Sequence, residues 1–222
     1  MIKALIFDVG GTLVKTDEAI LEALRVALLE QGIVFSNQQD VINVFGQGQM
    51  KNVEVAVRGS YSSFDVEEKI EKCFTLFQSL FPITVMEKFV VIDHVLESLQ
   101  EFKKKSMKLC VLTGFDKRET AFFLERMGLA SYFDLVLSAE DIVKHRPDPQ
   151  GLLLSVEMLG LDKNEVLYIG DAMVDVQFAR NAGVKVVCVK TGAQDNYLLE
   201  QEKPDYLVED LWEILTIIDK RV

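Results

Sequence analysis

Cysteine, histidine and basic residues are all scarce in this 222-residue chain, and each shortage removes a class of function. The three cysteines, Cys73, Cys110 and Cys188, lie far apart with no CxxC pair and no His-rich ligand pattern beside them. Neither a structural disulfide nor a zinc site is expected. Lys and Arg number 24 against 35 Asp and Glu, a formal net charge of −11. That balance argues against nucleic acid or an anionic membrane surface as the main partner, although a local cluster of cations can still hold an anion. No apolar run approaches a membrane span, and the opening MIKALIFDVG is too short and too weakly basic for a signal peptide. A soluble, reducing, cytoplasmic setting is expected. Repeats and low-complexity segments are also missing.

What is present is 49% hydrophobic and 27% charged, enough to bury one large domain or one domain with a smaller insert. Short runs rich in Val, Ile and Leu recur at IKALIFDV (2–9), KLCVLTG (108–114), DLVLSAE (134–140), EVLYIGD (165–171), KVVCVKT (185–191) and DYLVED (205–210). Near-continuous apolar runs of this length suit strands buried on both faces of a parallel sheet. DKRETAFFLERMG, DPQGLLLSVEMLG and DVQFARNAG read as helices ending at Gly128, Gly160 and Gly183. The alternation predicts an α/β class, a doubly wound parallel sheet.

One section breaks the rhythm. Between about residues 15 and 87 there is no convincing strand; TDEAILEALRVALLEQG, capped by Thr16 or Asp17, and SSFDVEEKIEKCFTLFQSLF are amphipathic helical patterns. The expected organisation is a core of residues 1–14 and 88–222 with a helical cap over 15–87. An insertion after the first strand is placed to cover a site at the carboxyl edge of the sheet, where ligands of such folds bind. Its exposed helices are compatible with a homodimer, which nothing in the pattern requires.

Four of the predicted strands end in polar, reactive or flexible residues: Asp8 to Thr12, Thr113-Gly114, Lys144 to Pro147, and Gly170-Asp171 followed by Asp175. An aspartate such as Asp8 can attack phosphorus and form an aspartyl-phosphate, dividing one hard displacement into two easier ones. Asp8 and Asp171 can share a hard Mg²⁺ that also takes a phosphate oxygen. Charge on the transferring group needs donors, for which the Thr113 hydroxyl, backbone N–H groups around Gly11, Thr12 and Gly114, and a cation from Arg146 or Lys144 are candidates.

FDVGGTL, VLTG, HRPDP and YIGDAMVD fall in the order and approximate spacing of the four motifs of the haloacid dehalogenase-like superfamily. The chain resembles that superfamily over essentially its whole length. The resemblance implies a Mg²⁺-dependent phosphohydrolase acting on a small phosphorylated or phosphonate metabolite. It matches Asp8 to the nucleophile, Thr113 to the phosphate-binding Ser/Thr, Arg146 to the motif's Lys or Arg, and Asp171 with Asp175 to the metal-side acids. It also implies that the helical insert is the small cap.

The chain departs from the pattern at Gly10, where the phosphatases of the superfamily usually carry a second aspartate that protonates the leaving group; there Gly10 keeps only its carbonyl oxygen to face the metal. Phosphonoacetaldehyde hydrolases also lack that acid, and GQMKNVEV (48–55) is similar to their Gly-x-x-Lys-x-x-His-Val, matching Lys51 to an imine-forming lysine, with Glu54 at the His position. Three readings follow: a phosphate-ester hydrolase, a carbon–phosphorus hydrolase of the phosphonatase-like branch, and a non-catalytic relative that binds ligand.

Overall fold

The predicted strands are all present in the computed structural model, which describes residues 1–219. In chain order the elements are β1 (Ala4–Phe7), β2 (Val14–Lys15), α1 (Asp17–Glu30), α2 (Gln38–Ile42), α3 (Gln49–Ser60), α4 (Val66–Lys88) and β3 (Val90–Val91). There follow α5 (Val95–Lys104), β4 (Lys108–Leu112), α6 (Lys117–Arg126), β5 (Leu135–Leu137), α7 (Gln150–Leu159) and β6 (Val166–Gly170). The chain closes with α8 (Met173–Ala182), β7 (Lys185–Val189), α9 (Asn196–Gln201), β8 (Tyr206–Val208) and α10 (Ile214–Asp219). It folds as two compact units, Met1–Lys15 with the chain from Val91 onward, and Thr16–Val90.

The first unit is built on a six-stranded sheet in the order β5-β4-β1-β6-β7-β8, with every pairing parallel. The chain builds outward from β1 through β4 to β5, then returns to the other side of β1 for β6. That reversal of winding beside β1 opens a crevice at the carboxyl ends of the strands. Phe7 pairs with Val111 on one side and Ile169 on the other. Asp8, Thr113 and Asp171 therefore leave three adjacent strands within a residue of the same level.

Burial on both faces explains the unbroken apolar runs. Ala4, Ile6, Cys110, Leu112 and Tyr168 pack with Leu152, Val156 and Phe178 from α7 and α8. On the opposite face the Phe7 ring lies 6.2 Å from Phe102 of α5 and 6.1 Å from Phe133. The strands are shorter than the runs that predicted them because their polar ends turn out of the ladder. At β5, for example, the Ser138 N–H is taken by the Asp141 carboxylate at 3.0 Å.

The second unit is helical. α1 buries Ala19, Ile20, Ala23, Leu24, Ala27 and Leu28, and α4 buries Ile70, Cys73, Phe77, Phe81 and Val85. Both sets follow the helical period, with Phe77 and Phe81 stacked 5.3 Å apart one turn from each other. The pattern predicts that the second helix stops near Phe81, yet α4 continues through Pro82 to Lys88. Pro82 lies on an exposed face, so the lost helical bond frees a carbonyl that water can reach, while Val85 extends the buried stripe by another turn. α3, which carries Lys51, was visible in the sequence only as a motif. Among the described residues no helix is long and apolar enough to cross a membrane.

Trp212, the chain's only tryptophan, belongs to the first unit, so its fluorescence reports on that unit alone. Phe102 is fully buried, and Phe102→Ala is expected to lower the unfolding free energy of the core by about 3–5 kcal/mol. Urea denaturation followed at Trp212 measures it.

Candidate active site

Asp8 stands one residue beyond β1, with its N–H donated to the Ile169 carbonyl of the neighbouring strand at 2.9 Å. The chain then turns tightly, because the Val9 carbonyl accepts from the amides of Thr12, Leu13 and Val14 at 3.3, 2.8 and 3.1 Å. Gly11 adopts φ +77 within this turn and lies directly against the Asp171 carboxylate, so a side chain there would meet both a steric and a conformational barrier. The Thr12 hydroxyl, fully buried, donates to Asp171 Oδ1 at 3.1 Å.

The loop after β7 completes the enclosure of Asp171. Thr191 donates its hydroxyl to the Gly11 carbonyl at 2.6 Å, and Gly192 packs against the Asp171 carboxylate where any Cβ would collide. Neither residue was singled out from the sequence. Their position at the end of an apolar run, on the same sheet edge, was the available signal.

Arg146 ties the acids together. Its Nη2 donates to Asp8 Oδ1 at 3.1 Å and its Nη1 to Asp175 Oδ1 at 2.6 Å and to the Tyr168 hydroxyl at 3.0 Å. Tyr168, a third residue that sequence reasoning passed over, here as core, donates to Asp175 Oδ1 at 2.9 Å from the interior of β6. Asp175 Oδ2 accepts the backbone N–H groups of Asp171 at 3.1 Å and Ala172 at 3.0 Å. Asp175 thus accepts from four donors and fixes both Arg146 and the turn that presents Asp171.

The remaining candidates divide. Thr113 is buried at the end of β4, with its hydroxyl accepting the Phe115 N–H at 3.2 Å, and Gly114 lies against the Arg146 guanidinium. Of the two cations weighed for the site, only Arg146 reaches the acids. Lys144 is exposed and lies 3.6 Å from Asp148. Lys51 belongs to the helical unit, where its Nζ donates to Glu54 at 3.1 Å in a partly exposed network that continues to Arg58 and Glu67. An imine-forming amine needs desolvation or neighbouring cations. Lys51 instead sits beside a carboxylate on a solvated helix face, and the carbon–phosphorus reading finds no support there.

The electrostatics follow from burial. Burial raises the Asp8 carboxyl, and the nearby Asp175 adds to this while Arg146 opposes it. Asp171 is pushed well above the usual carboxylate range, first by burial and then by the charges of Asp175 and Asp8. Burial alone would lower Arg146, but Asp8, Tyr168 and Asp175 outweigh it and hold the guanidinium charged. Oxygens of Asp8, Asp171 and Asp175 lie within 4.8 Å of one another, all buried. Three carboxylates against one guanidinium leave an excess of negative charge, and the donor set is all oxygen. The residues fit a hard divalent cation.

Comparisons with known proteins bear on the family and the fold. The family model for haloacid dehalogenase-like hydrolase matches residues 5–189. A phosphoglycolate phosphatase of Thiobacillus denitrificans is 28% identical over 219 residues, covering 99% of this chain and 96% of its own. A pyrophosphatase PpaX of Bacillus mycoides is 28% identical over 225 residues, covering 99% and 98%. Among solved structures, one described as a predicted phosphoglycolate phosphatase from Haemophilus somnus superposes with a TM-score of 0.87 over 98% of both chains at 22% identity, a likeness of fold.

The raised carboxyls have a consequence for stability without metal. An unfolded aspartate titrates near about 3.9, below the folded Asp8 and Asp171, so the native state binds more protons between the two values. Metal-free stability should therefore fall as pH rises from about 4 through the folded values and then level off. Asp171→Asn, which can still accept from Thr12, removes part of that slope. Thermal unfolding in EDTA is expected to show the variant more stable than wild type at neutral pH.

Proposed function

The chain belongs to the haloacid dehalogenase-like hydrolase family, and from that premise we propose that it hydrolyses a small phosphorylated metabolite with Asp8 as nucleophile. The observation that carries this reading is the meeting of Asp8, Arg146, Asp171 and Asp175 at the carboxyl ends of adjacent parallel strands. Relatives that match over nearly the whole chain are named phosphoglycolate phosphatase and pyrophosphatase, which supports a phosphomonoester or phosphoanhydride as substrate.

Asp8 forms the bond to phosphorus, and the leaving group departs with the electron pair of the broken bond. Water then attacks the aspartyl-phosphate, restoring the Asp8 carboxylate and releasing inorganic phosphate. Arg146 orients the Asp8 carboxylate and places one positive charge beside the transferring group. The Thr113 hydroxyl and the Gly114 amide supply neutral donors that stabilise the phosphoryl oxygens without adding charge, whereas the Gly11 and Thr12 amides expected to help are already donated to the Val14 and Val9 carbonyls at 2.7 and 3.3 Å.

Asp8 and Asp171 side chains and the Gly10 carbonyl would hold Mg²⁺, which when bound neutralises the acids and the phosphoryl oxygens. Asp175 differs from the role its motif implies. Its oxygens are already taken by four donors, so ligation through it would displace one of them. It is a positioning residue for Arg146 and Asp171.

Asp8→Asn keeps the shape of the site and removes the nucleophile. Phosphate release in Mg²⁺ is expected to fall by a factor of at least about 10³, and the phosphoenzyme of acid-quenched wild-type samples is expected to be absent from the variant. Retained turnover in Asp8→Asn would exclude the mechanism. Terbium luminescence, lost in Asp171→Asn, tests the metal site without reference to activity.

A further inference from the structure

Expelling an alkoxide from phosphorus needs a proton, and none of the side chains bonded within the Asp8 cluster is placed to give one. Arg146 holds its protons too tightly to transfer one. The Tyr168 hydroxyl is spent on Asp175 and is itself a hydrogen-bond acceptor for Arg146, in the fully buried interior of the sheet. Thr12 and Thr113 carry alcohols, no more acidic than the group they would protonate. Asp175 is an acceptor for four donors, and Asp171 faces the metal side with a hydroxyl already bound to it.

Gly10, two residues past the nucleophile, is where a carboxyl group would be carried closest in sequence. Its glycine is not imposed by the backbone. Gly11 beside it has φ +77, whereas Gly10 is not among the residues with positive φ. Backbone φ therefore demands glycine at Gly11 and makes no such demand at Gly10.

We infer that this hydrolase is built for substrates whose leaving group departs as a stabilised anion, namely phosphoanhydrides, acyl phosphates and enol or aryl phosphates, and not for phosphate esters of simple alcohols. The inference rests on the hydrolase reading above and narrows its substrate class. In the first step an Asp8 oxygen bonds to phosphorus, the bond to the leaving oxygen breaks, and its electron pair leaves with that oxygen, which needs no proton. In the second, water attacks phosphorus, the pair of the Asp8–phosphorus bond returns to the carboxylate, and the proton of water passes to solvent. With no carboxylate at position 10 to take that proton, the second step is slow, so the aspartyl-phosphate accumulates.

The test is the dependence of kcat/KM on leaving-group acidity, measured in Mg²⁺ with a series of phenyl phosphates from 4-nitro to 4-methoxy, with acetyl phosphate and with an alkyl phosphate. Wild type is expected to lose at least about 10²-fold between the 4-nitrophenyl and alkyl compounds, with a burst of 4-nitrophenol close to one equivalent of enzyme. Gly10→Asp is expected to flatten the series by raising the alkyl ester most. A flat wild-type series would overturn the inference while leaving the hydrolase reading standing, since a proton would then be reaching the leaving group from elsewhere. Absence of turnover on every compound, with no Asp8-dependent phosphoenzyme, would overturn both. If Gly10→Asp does not fold, the wild-type slope decides alone.

Discussion

A single buried guanidinium holds the site together. Arg146 comes from the loop before α7, Asp8 from the end of β1, and Asp175 with Tyr168 from β6 and α8, and all of them meet at its two terminal nitrogens. Removing one partner from such a cluster leaves a buried charge uncompensated, which costs far more than the pairing itself contributes. The arrangement is also unbalanced by design of its charges: three carboxylates against one cation. Burial, followed by the charges of Asp175 and Asp8, pushes the Asp171 carboxyl well above the usual carboxylate range. An all-oxygen cluster of this charge fits a divalent cation.

Close approach of backbone to carboxylate is the second constraint. Asp171 lies against Gly11 and Gly192, and Asp175 against Gly170, in contacts that a Cβ would prevent. These glycines let three strand ends converge without side chains between them. Gly10 stands apart from this logic. It meets neither the φ requirement of Gly11 nor, in its lack of a side chain, any need of proton transfer.

The helical unit shows how one residue type changes meaning with its neighbours. Lys51 sits in a motif-like segment, yet its partner is Glu54, which in turn accepts from Arg58 at 3.2 Å. A partly exposed pair on a helix face contributes little to stability and keeps the amine solvated. The substitution of Glu54 at a position where the related enzymes carry His, visible in the sequence, thus has a structural counterpart in a surface ion network.

The parallel sheet, the helical insert and the four reactive strand ends were legible in the sequence, because two-sided burial writes itself as unbroken Val, Ile and Leu runs and because polar residues at the ends of such runs have few structural uses. Asp8, Thr113, Arg146 and Asp171 were candidates on that ground. Tyr168, Thr191 and Gly192 were not, since a tyrosine inside an apolar strand and a Thr-Gly after one look like core and turn until the neighbours are known. The choice of Arg146 over Lys144, the saturation of Asp175 and the surface setting of Lys51 were decided by tertiary structure alone. Local sequence sets which side chains stand at a strand end; which of them meet depends on strand order and register, which bring residues 8, 146, 168 and 175 within hydrogen-bonding distance across more than a hundred positions of chain.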